Sequence, residues 1–159
     1  MPDEHKSFQL GSCLTPGRII DLASATKADA LRELVDVLRD APEVTDPEGF
    51  YQAIIDREKI MSTGLGIGIA LPHVKIPSIT NFVTALGRKR DGLDFDSLDG
   101  KPAKIVIMIG ASEKQHRDFL KVIARISHLL RQEKVREEIL AAEGPEAILD
   151  VIRQHEQAV

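Results

Sequence analysis

The chain has little of what secreted, membrane-spanning or nucleic-acid-binding proteins need. It has one cysteine, no tryptophan and only 4% aromatic residues among its 159. A single cysteine, Cys13, cannot form an internal disulfide. No apolar run reaches the roughly 20 residues of a membrane helix, and the N-terminus lacks the basic and apolar segments of a signal peptide. These absences predict a cytoplasmic protein that neither inserts into a membrane nor binds nucleic acid.

Motifs for metal, nucleotide and serine-hydrolase sites are also missing. There is no H-x-x-x-H or C-x-x-C pair, so zinc would need ligands that lie far apart in the sequence. The glycines do not follow the Gly-x-x-x-x-Gly-Lys-Ser/Thr pattern of a phosphate-binding loop. No Gly-x-Ser-x-Gly elbow is present. We therefore expect no zinc site with closely spaced ligands, no nucleotide-binding phosphate loop and no serine-hydrolase site.

What is present is typical of one globular α/β domain. The length and the apolar fraction of 43% allow a sizeable core, so we expect a single domain over residues 1–159. Helical patterns come first, apolar strands follow, and helical patterns return. This order predicts a layered domain with a small mixed β-sheet flanked by α-helices.

Several elements have clear sequence signals. Thr26 is a candidate N-cap of one helix and Asp46 of a second, which Pro47 would open. The unbroken apolar run 105–109 predicts a central strand that is buried on both faces. Turns are expected at Asp91-Gly92 and Asp99-Gly100. A long helix from about residue 114 would turn Leu120, among other apolar residues, towards the core.

The stretch from residue 62 to residue 75 carries the chemistry. It has two hydroxyls, glycines at every second position and a histidine behind a proline; these residues are Ser62, Thr63, Gly64, Gly66, Gly68, Pro72 and His73. Alternating glycines indicate close backbone approach or unusual backbone angles, and their N–H groups could bind an anion. Residues 67–71 predict a short strand that Pro72 ends, which leaves His73 at its mouth. The hypothesis is a nucleophilic histidine beside a phosphate pocket.

Two further residues are candidates for this pocket. Arg57 comes just before the glycine stretch, and a guanidinium there could bind phosphate through two hydrogen bonds. The alternative, a surface ion pair with a neighbouring acid, is equally compatible with the spacing. His116 follows an apolar strand near a helix start, where it could reach a ligand.

The same residues resemble a known family. Arg-Glu-Lys at 57–59, followed by Ser-Thr-Gly-Leu-Gly-Ile-Gly-Ile-Ala-Leu-Pro-His at 62–73, is similar to the signature of the enzyme IIA domain of the bacterial phosphoenolpyruvate-dependent phosphotransferase system (PTS), of the fructose/mannitol and nitrogen-regulatory type. Residues 92–102 and 129–140 fit later segments of that family. The resemblance covers roughly residues 8–155.

The resemblance implies a phosphocarrier. Such a domain takes a phosphoryl group from phosphohistidine on the carrier protein HPr, or on its nitrogen-branch counterpart, and holds it on the histidine that corresponds to His73. It then passes the group to an enzyme IIB domain or uses its own phosphorylation as a signal. Arg57 and the loop of Ser62, Thr63, Gly64, Gly66 and Gly68 would hold the phosphate. No metal or organic cofactor is then needed.

The sequence departs from the family at two positions. The family often has a second histidine near the site, where this chain has Phe119, with His116 one turn earlier as a candidate for the role. Val74 follows His73 where a smaller residue is common, and we expect it to narrow the approach to the ring.

Three functional alternatives follow. A single domain without an attached IIB favours a nitrogen-regulatory role, with a sugar-specific IIA subunit as the near alternative. The two departures motivate a third, a binding module that has kept the fold and lost phosphotransfer.

Overall fold

The structure, a computed structural model, describes residues 9–157, with only the backbone of Gln157. Residue 8, where the family resemblance begins, lies outside this range. The helices are α1 (Leu10–Cys13), α2 (Lys27–Val37), α3 (Pro47–Ile60), α4 (His116–Arg131), α5 (Glu133–Ala141) and α6 (Pro145–Gln157). The strands are β1 (Ile19–Asp21), β2 (Gly64–Gly66), β3 (Ile69–Ala70), β4 (His73–Lys75), β5 (Val83–Leu93) and β6 (Ala103–Ala111). None of the helices in the described range is long and apolar enough to cross a membrane.

The N-caps of α2 and α3 lie where the sequence predicts them. The hydroxyl of Thr26 accepts the N–H of Asp29 at 3.2 Å. The carboxylate of Asp46 accepts the N–H of Gly49 at 3.1 Å, and Pro47 opens the helix. Each cap satisfies one of the N–H groups that a helix start leaves unpaired. Both predicted helix starts are therefore confirmed.

The six strands form one mixed sheet. Its order is β1-β5-β6-β3-β2, and β4 also pairs with β6. Strand β1 runs parallel to β5, while β5 and β6 are antiparallel. Strands β3 and β4 both run parallel to β6. The predicted α/β fold with a small mixed sheet flanked by helices is confirmed.

Strand β6 lies at the centre of the sheet and separates two hydrophobic clusters. Ile105, Ile107 and Ile109 belong to the cluster that includes residues of α4, α5 and α6. Val106 and Met108 belong to the cluster that includes residues of α2 and α3. Because successive side chains of a strand point to opposite faces, one strand contributes to both clusters. The prediction of a central strand buried on both faces is confirmed.

Two expectations are wrong. Asp91 and Gly92 form no turn between elements but lie inside β5, where the pairing with β6 shifts register between Arg88 and Leu93. The irregularity lets one long strand bend without ending. Leu120 does not face the core, since its side chain is 56% exposed. It lies just beyond the apolar stripe of α4. The predicted Asp99-Gly100 turn is present, because the N–H of Gly100 bonds to Ser97.

Candidate functional site

His73 lies in a strand that is interrupted at Leu71-Pro72. Strands β3 and β4 pair with β6 in the same register on either side of Leu71-Pro72. Pro72 has no N–H, but its carbonyl accepts the N–H of Ile109 at 2.9 Å and so continues the pairing. Strand β3 ends before Pro72, as predicted, although it spans only Ile69–Ala70. His73 does not lie at an open strand end, because the pairing with β6 resumes there. His73 is instead the first residue of β4.

Side-chain alternation in β4 places His73 and Lys75 on one face and Val74 on the other. His73 and Lys75 are half-buried, whereas Val74 is 8% exposed and belongs to the cluster of α2 and α3. The side chain of Val74 thus lies on the opposite face of β4 from the imidazole, although Val74 also lines the cleft at His73. The expectation that it narrows the approach to the ring stays a prediction.

Two contacts fix the imidazole of His73. Its Nδ1 lies 2.6 Å from the carbonyl oxygen of Leu71. A carbonyl can only accept a hydrogen bond, so Nδ1 carries the hydrogen and Nε2 carries the lone pair. The ring also packs on Phe119, with centroids 5.6 Å apart and planes tilted by 57°. Phe119 thus lies against the histidine ring, as the match of α4 to the family predicts.

The surroundings keep His73 neutral. Burial lowers the pKa of the imidazole below its usual 6.5, and the nearby Arg57 guanidinium lowers it further. The hydrogen bond to Leu71 and the charge of Glu58 act in the opposite direction without cancelling the effect of burial. At neutral pH the ring therefore presents an unprotonated Nε2.

The histidine opens onto a cleft of about 470 Å³. The cleft is lined by Ala53, Asp56, Arg57, Ile60, His73, Val74, Lys75, Ile76 and Phe119. Arg57 lies at this cleft, and its Nη1 donates to the carbonyl of Met61 at 2.8 Å. No ion pair of Arg57 with a carboxylate is present within residues 9–156. A guanidinium has five N–H donors, so the bond to Met61 leaves others for an anion.

Lys75 is a site residue that the sequence analysis missed. Its Nζ donates to Nδ1 of His116 at the start of α4. His116 therefore contacts Lys75, while Phe119 contacts His73. The spacing of two between His73 and Lys75 was the available signal, because it puts both side chains on one face of a strand. That signal could not be used while the strand was expected to end at Leu71.

The predicted hydroxyl ligands are bound within the protein. Ser62 Oγ donates to the carbonyl of Phe95 at 2.6 Å and accepts the N–H of Gly64 at 3.0 Å. The Thr63 hydroxyl donates to the carboxylate of Glu58. These bonds join the loop to α3 and to the segment that follows β5.

The glycines belong to a hairpin that leads away from the cleft. Its turn has positive φ at Ile67 (51°) and Gly68 (82°), as a two-residue type I′ turn requires. At about 3.3 Å per residue, Gly68 lies on the order of 16 Å from His73. A Cβ added to Gly64 would come within 2.3 Å of Ser97 Oγ, which is the predicted close approach. The structure thus explains the glycines by backbone shape, and it does not bring Gly66 and Gly68 to the cleft.

No group of three or more His, Cys, Asp or Glu residues within the described range is placed to hold a metal ion.

Comparison with known proteins identifies the family. Residues 14–155 match the family described as "Phosphoenolpyruvate-dependent sugar phosphotransferase system, EIIA 2". The chain is 41% identical over 87% of its length to the PTS system fructose-specific EIIABC component of Bacillus subtilis, but spans only 22% of that protein. It is 36% identical to the fructose-specific EIIA component of Haloferax volcanii over 90% of this chain and 94% of that protein.

Other relatives belong to the regulatory and mannitol branches. The nitrogen regulatory protein of Bradyrhizobium diazoefficiens is 33% identical over 80% of this chain and 82% of its own. A solved complex of enzyme IIA-mannitol with phosphorylated enzyme IIB-mannitol from Escherichia coli contains a similar chain. The likeness has a TM-score of 0.76 at 26% identity, over 89% of this chain and 97% of that one. The chain belongs to the EIIA type 2 family of the phosphoenolpyruvate-dependent sugar phosphotransferase system.

Proposed function

We propose that the chain is a phosphocarrier that accepts a phosphoryl group on Nε2 of His73 from a phosphohistidine of an HPr-type carrier protein. One observation carries the proposal: the 2.6 Å bond from Nδ1 of His73 to Leu71 leaves Nε2 as the nucleophilic nitrogen at an open cleft. A neutral imidazole nitrogen in that state can attack phosphorus. The family membership supports the same reaction class.

The transfer exchanges one N–P bond for another. The Nε2 lone pair of His73 bonds to phosphorus while the N–P bond of the donor breaks, and its electron pair returns to the donor ring. Nδ1 of His73 keeps its hydrogen throughout. Because the ring becomes more positive once Nε2 is phosphorylated, the hydrogen bond to the Leu71 carbonyl becomes stronger. The protein supplies mainly position and charge, as is usual in phosphoryl transfer.

Arg57 and Lys75 supply the charge in this proposal. Both line the cleft, and Arg57 can bind two phosphoryl oxygens at once. His116 assists through its contact with Lys75, which holds the ammonium group beside the cleft. The expectation that Ser62, Thr63 and Gly64 contact phosphate stays a prediction. We assign Gly66 to the end of β2 and Gly68 to the hairpin turn instead.

The recipient of the phosphoryl group is an enzyme IIB domain or a regulatory target. The regulatory role expected from the sequence depends on the chain having no attached IIB. The Haloferax volcanii fructose-specific component, 94% of which this chain covers, weakens that argument. Identities of 41% and 36% with fructose-specific components, against 33% with a nitrogen regulatory protein, favour a sugar-specific IIA as a second candidate.

The test is intact-mass analysis after incubation with phosphoenolpyruvate, enzyme I and HPr or its nitrogen-branch counterpart. It is done at alkaline pH because phosphohistidine is labile in acid. We expect one phosphate on the wild type and none on His73→Ala. The absence of phosphate with both carriers would reject the transfer mechanism and favour the binding module.

The branch is tested separately by deleting the gene and growing the cells on single sugars. Selective loss of growth on one sugar would support the sugar-specific role and count against the regulatory one.

A further inference from the structure

Glu58 is a buried carboxylate that the proposed transfer does not use. It follows Arg57 in α3, and its side chain is 5% exposed. Its Oε2 forms an ion pair with Lys27 Nζ at 2.8 Å and accepts the N–H of Thr63 at 3.1 Å. Its Oε1 accepts the Thr63 hydroxyl. Burying a charged carboxylate costs free energy unless it is paired and hydrogen-bonded. A buried and fully bonded Glu58 therefore indicates a specific structural role.

This role concerns an incomplete strand pair. Thr63 and Leu71 face each other where β2 and β3 meet, and the N–H of Leu71 donates to the carbonyl of Thr63 at 3.0 Å. In a regular hydrogen-bonded pair of antiparallel strands the two residues exchange both bonds. Here the N–H of Thr63 donates to Glu58 instead. The carbonyl of Leu71 accepts from Nδ1 of His73.

We infer that Glu58 is a positioning residue for His73. By holding the N–H of Thr63 it reserves the carbonyl of Leu71 for the imidazole, and that bond selects the tautomer with hydrogen on Nδ1. The consequence for catalysis rests on the proposed function, since only phosphotransfer needs an unprotonated Nε2. The structural link from Glu58 through Thr63 and Leu71 to the imidazole is independent of the proposed function.

The size of the effect follows from the two competing acceptors. The carbonyl of Leu71 already accepts from the imidazole, so the N–H of Thr63 stays with the side-chain oxygen at position 58 as long as that oxygen is within reach. A carbonyl has two lone pairs, so an N–H that moved to Leu71 would weaken the bond to His73 without removing it. We therefore expect the tautomer ratio to change by about three- to tenfold, as for one net hydrogen bond.

The experiment compares Glu58→Gln, Glu58→Asp and Glu58→Ala by long-range ¹H–¹⁵N NMR of the histidine side chains at pH 8, without any phosphoryl donor. Glutamine keeps the length and an acceptor oxygen but loses the charge, whereas aspartate keeps the charge but falls one methylene short of Thr63. The exposed His128 in the same spectra is the internal control. Wild type should show mainly the Nδ1–H tautomer at His73.

The reach of the side chain at position 58, and not its charge, should decide the tautomer ratio of His73. We expect Glu58→Gln to stay near the wild-type ratio and Glu58→Asp and Glu58→Ala to move towards the Nε2–H tautomer. If the alanine variant does not fold, the other two still decide. Three results would overturn the inference. They are a larger shift in Glu58→Gln than in Glu58→Asp, an unchanged tautomer ratio in folded Glu58→Asp, and a wild-type His73 with its hydrogen on Nε2. A chain that shows the expected shifts but takes no phosphate would support this inference and reject the proposed function.

Discussion

Two arginines, Arg57 and Arg88, show how the same side chain serves the cleft and the fold. Arg88 in β5 is 2% exposed and donates to both oxygens of Asp21 and to the carbonyls of Ile139 and Ala142. Arg57 is half-buried, bonds to the carbonyl of Met61 and lines the His73 cleft. An arginine whose donors are taken up by its own chain stabilises the fold, whereas one with donors facing a cleft can bind an anion.

The Arg88 region closes the end of α5. The last carbonyls of a helix have no partner within the helix, and Arg88 and Arg90 supply donors to Ile139, Leu140 and Ala142. Arg88 also joins β1 to β5 through Asp21, and its hydrogen bonds lower the pKa of that carboxyl. Replacing Arg88 should therefore lower the stability of the fold, whereas replacing Arg57 should lower activity at the cleft.

The largest expected effect is on stability in the Arg88 region. Arg88→Ala should lower the free energy of unfolding by about 3 kcal/mol, because it removes the four hydrogen bonds of a buried guanidinium and creates a cavity. Urea unfolding measures this loss, and Arg90→Ala is the control because Arg90 binds the same helix end from an exposed position. Equal losses for the two variants would contradict the role given to burial.

The second prediction concerns the cleft. Arg57→Ala should slow phosphorylation by about a hundredfold, the usual cost of one charge-stabilising donor in an active site. Its free energy of unfolding should change by no more than about 0.5 kcal/mol. Quench-flow with phosphorylated carrier gives the rate, and Arg57→Lys tests whether two-point binding matters. A wild-type rate in Arg57→Ala would remove Arg57 from the site.

The third prediction compares lysines at the two ends of the hairpin region. Lys75→Met should slow phosphorylation by about tenfold, because it keeps the length of the side chain but removes a charge beside His73. Lys101→Met, at the far end, should not change the rate. The same assay measures both variants. An equal reduction in both would indicate long-range attraction of the partner rather than a local role for Lys75.

The smallest effect is the pH dependence of stability that His73 contributes. Burial lowers its folded-state pKa below 6.5, so the unfolded chain binds the proton first as the pH falls. The free energy of unfolding should therefore decrease as the pH falls through 6.5, until the lower folded-state pKa is reached. Urea unfolding of wild type and His73→Gln across this range isolates the contribution. Identical pH slopes would show that the imidazole is not perturbed.

Local signals in the sequence were sufficient for much of the fold. Thr26 and Asp46 marked helix starts, because capping depends on residues within one turn. The run 105–109 marked the central strand, since only a strand buried on both faces has no polar positions. The position of His73 in a strand was missed because proline normally ends a ladder. Here only the N–H side is interrupted, while the carbonyl of Pro72 still pairs with Ile109.

The candidate site was only partly predictable for a related reason. His73 and Arg57 could be proposed because their side chains suit phosphoryl transfer and phosphate binding, and the structure places both at one cleft. The hydrogen-bond partner of Ser62 could not be predicted, because Phe95 is 33 residues away in the sequence. A contact of Ser62 and Thr63 with phosphate stays a prediction. Residues that are close in sequence thus have different roles. His73 lies at the cleft, whereas Gly68 forms part of the turn at the far end of the hairpin.

The most direct test of the account is the ¹⁵N NMR spectrum of the phosphorylated, ¹⁵N-histidine-labelled protein. It reports both the residue and the ring nitrogen that carry phosphate. The account predicts phosphate on Nε2 of His73, with hydrogen still on Nδ1 and bonded to Leu71. Phosphate on Nδ1 of His73, or on His116, would contradict it.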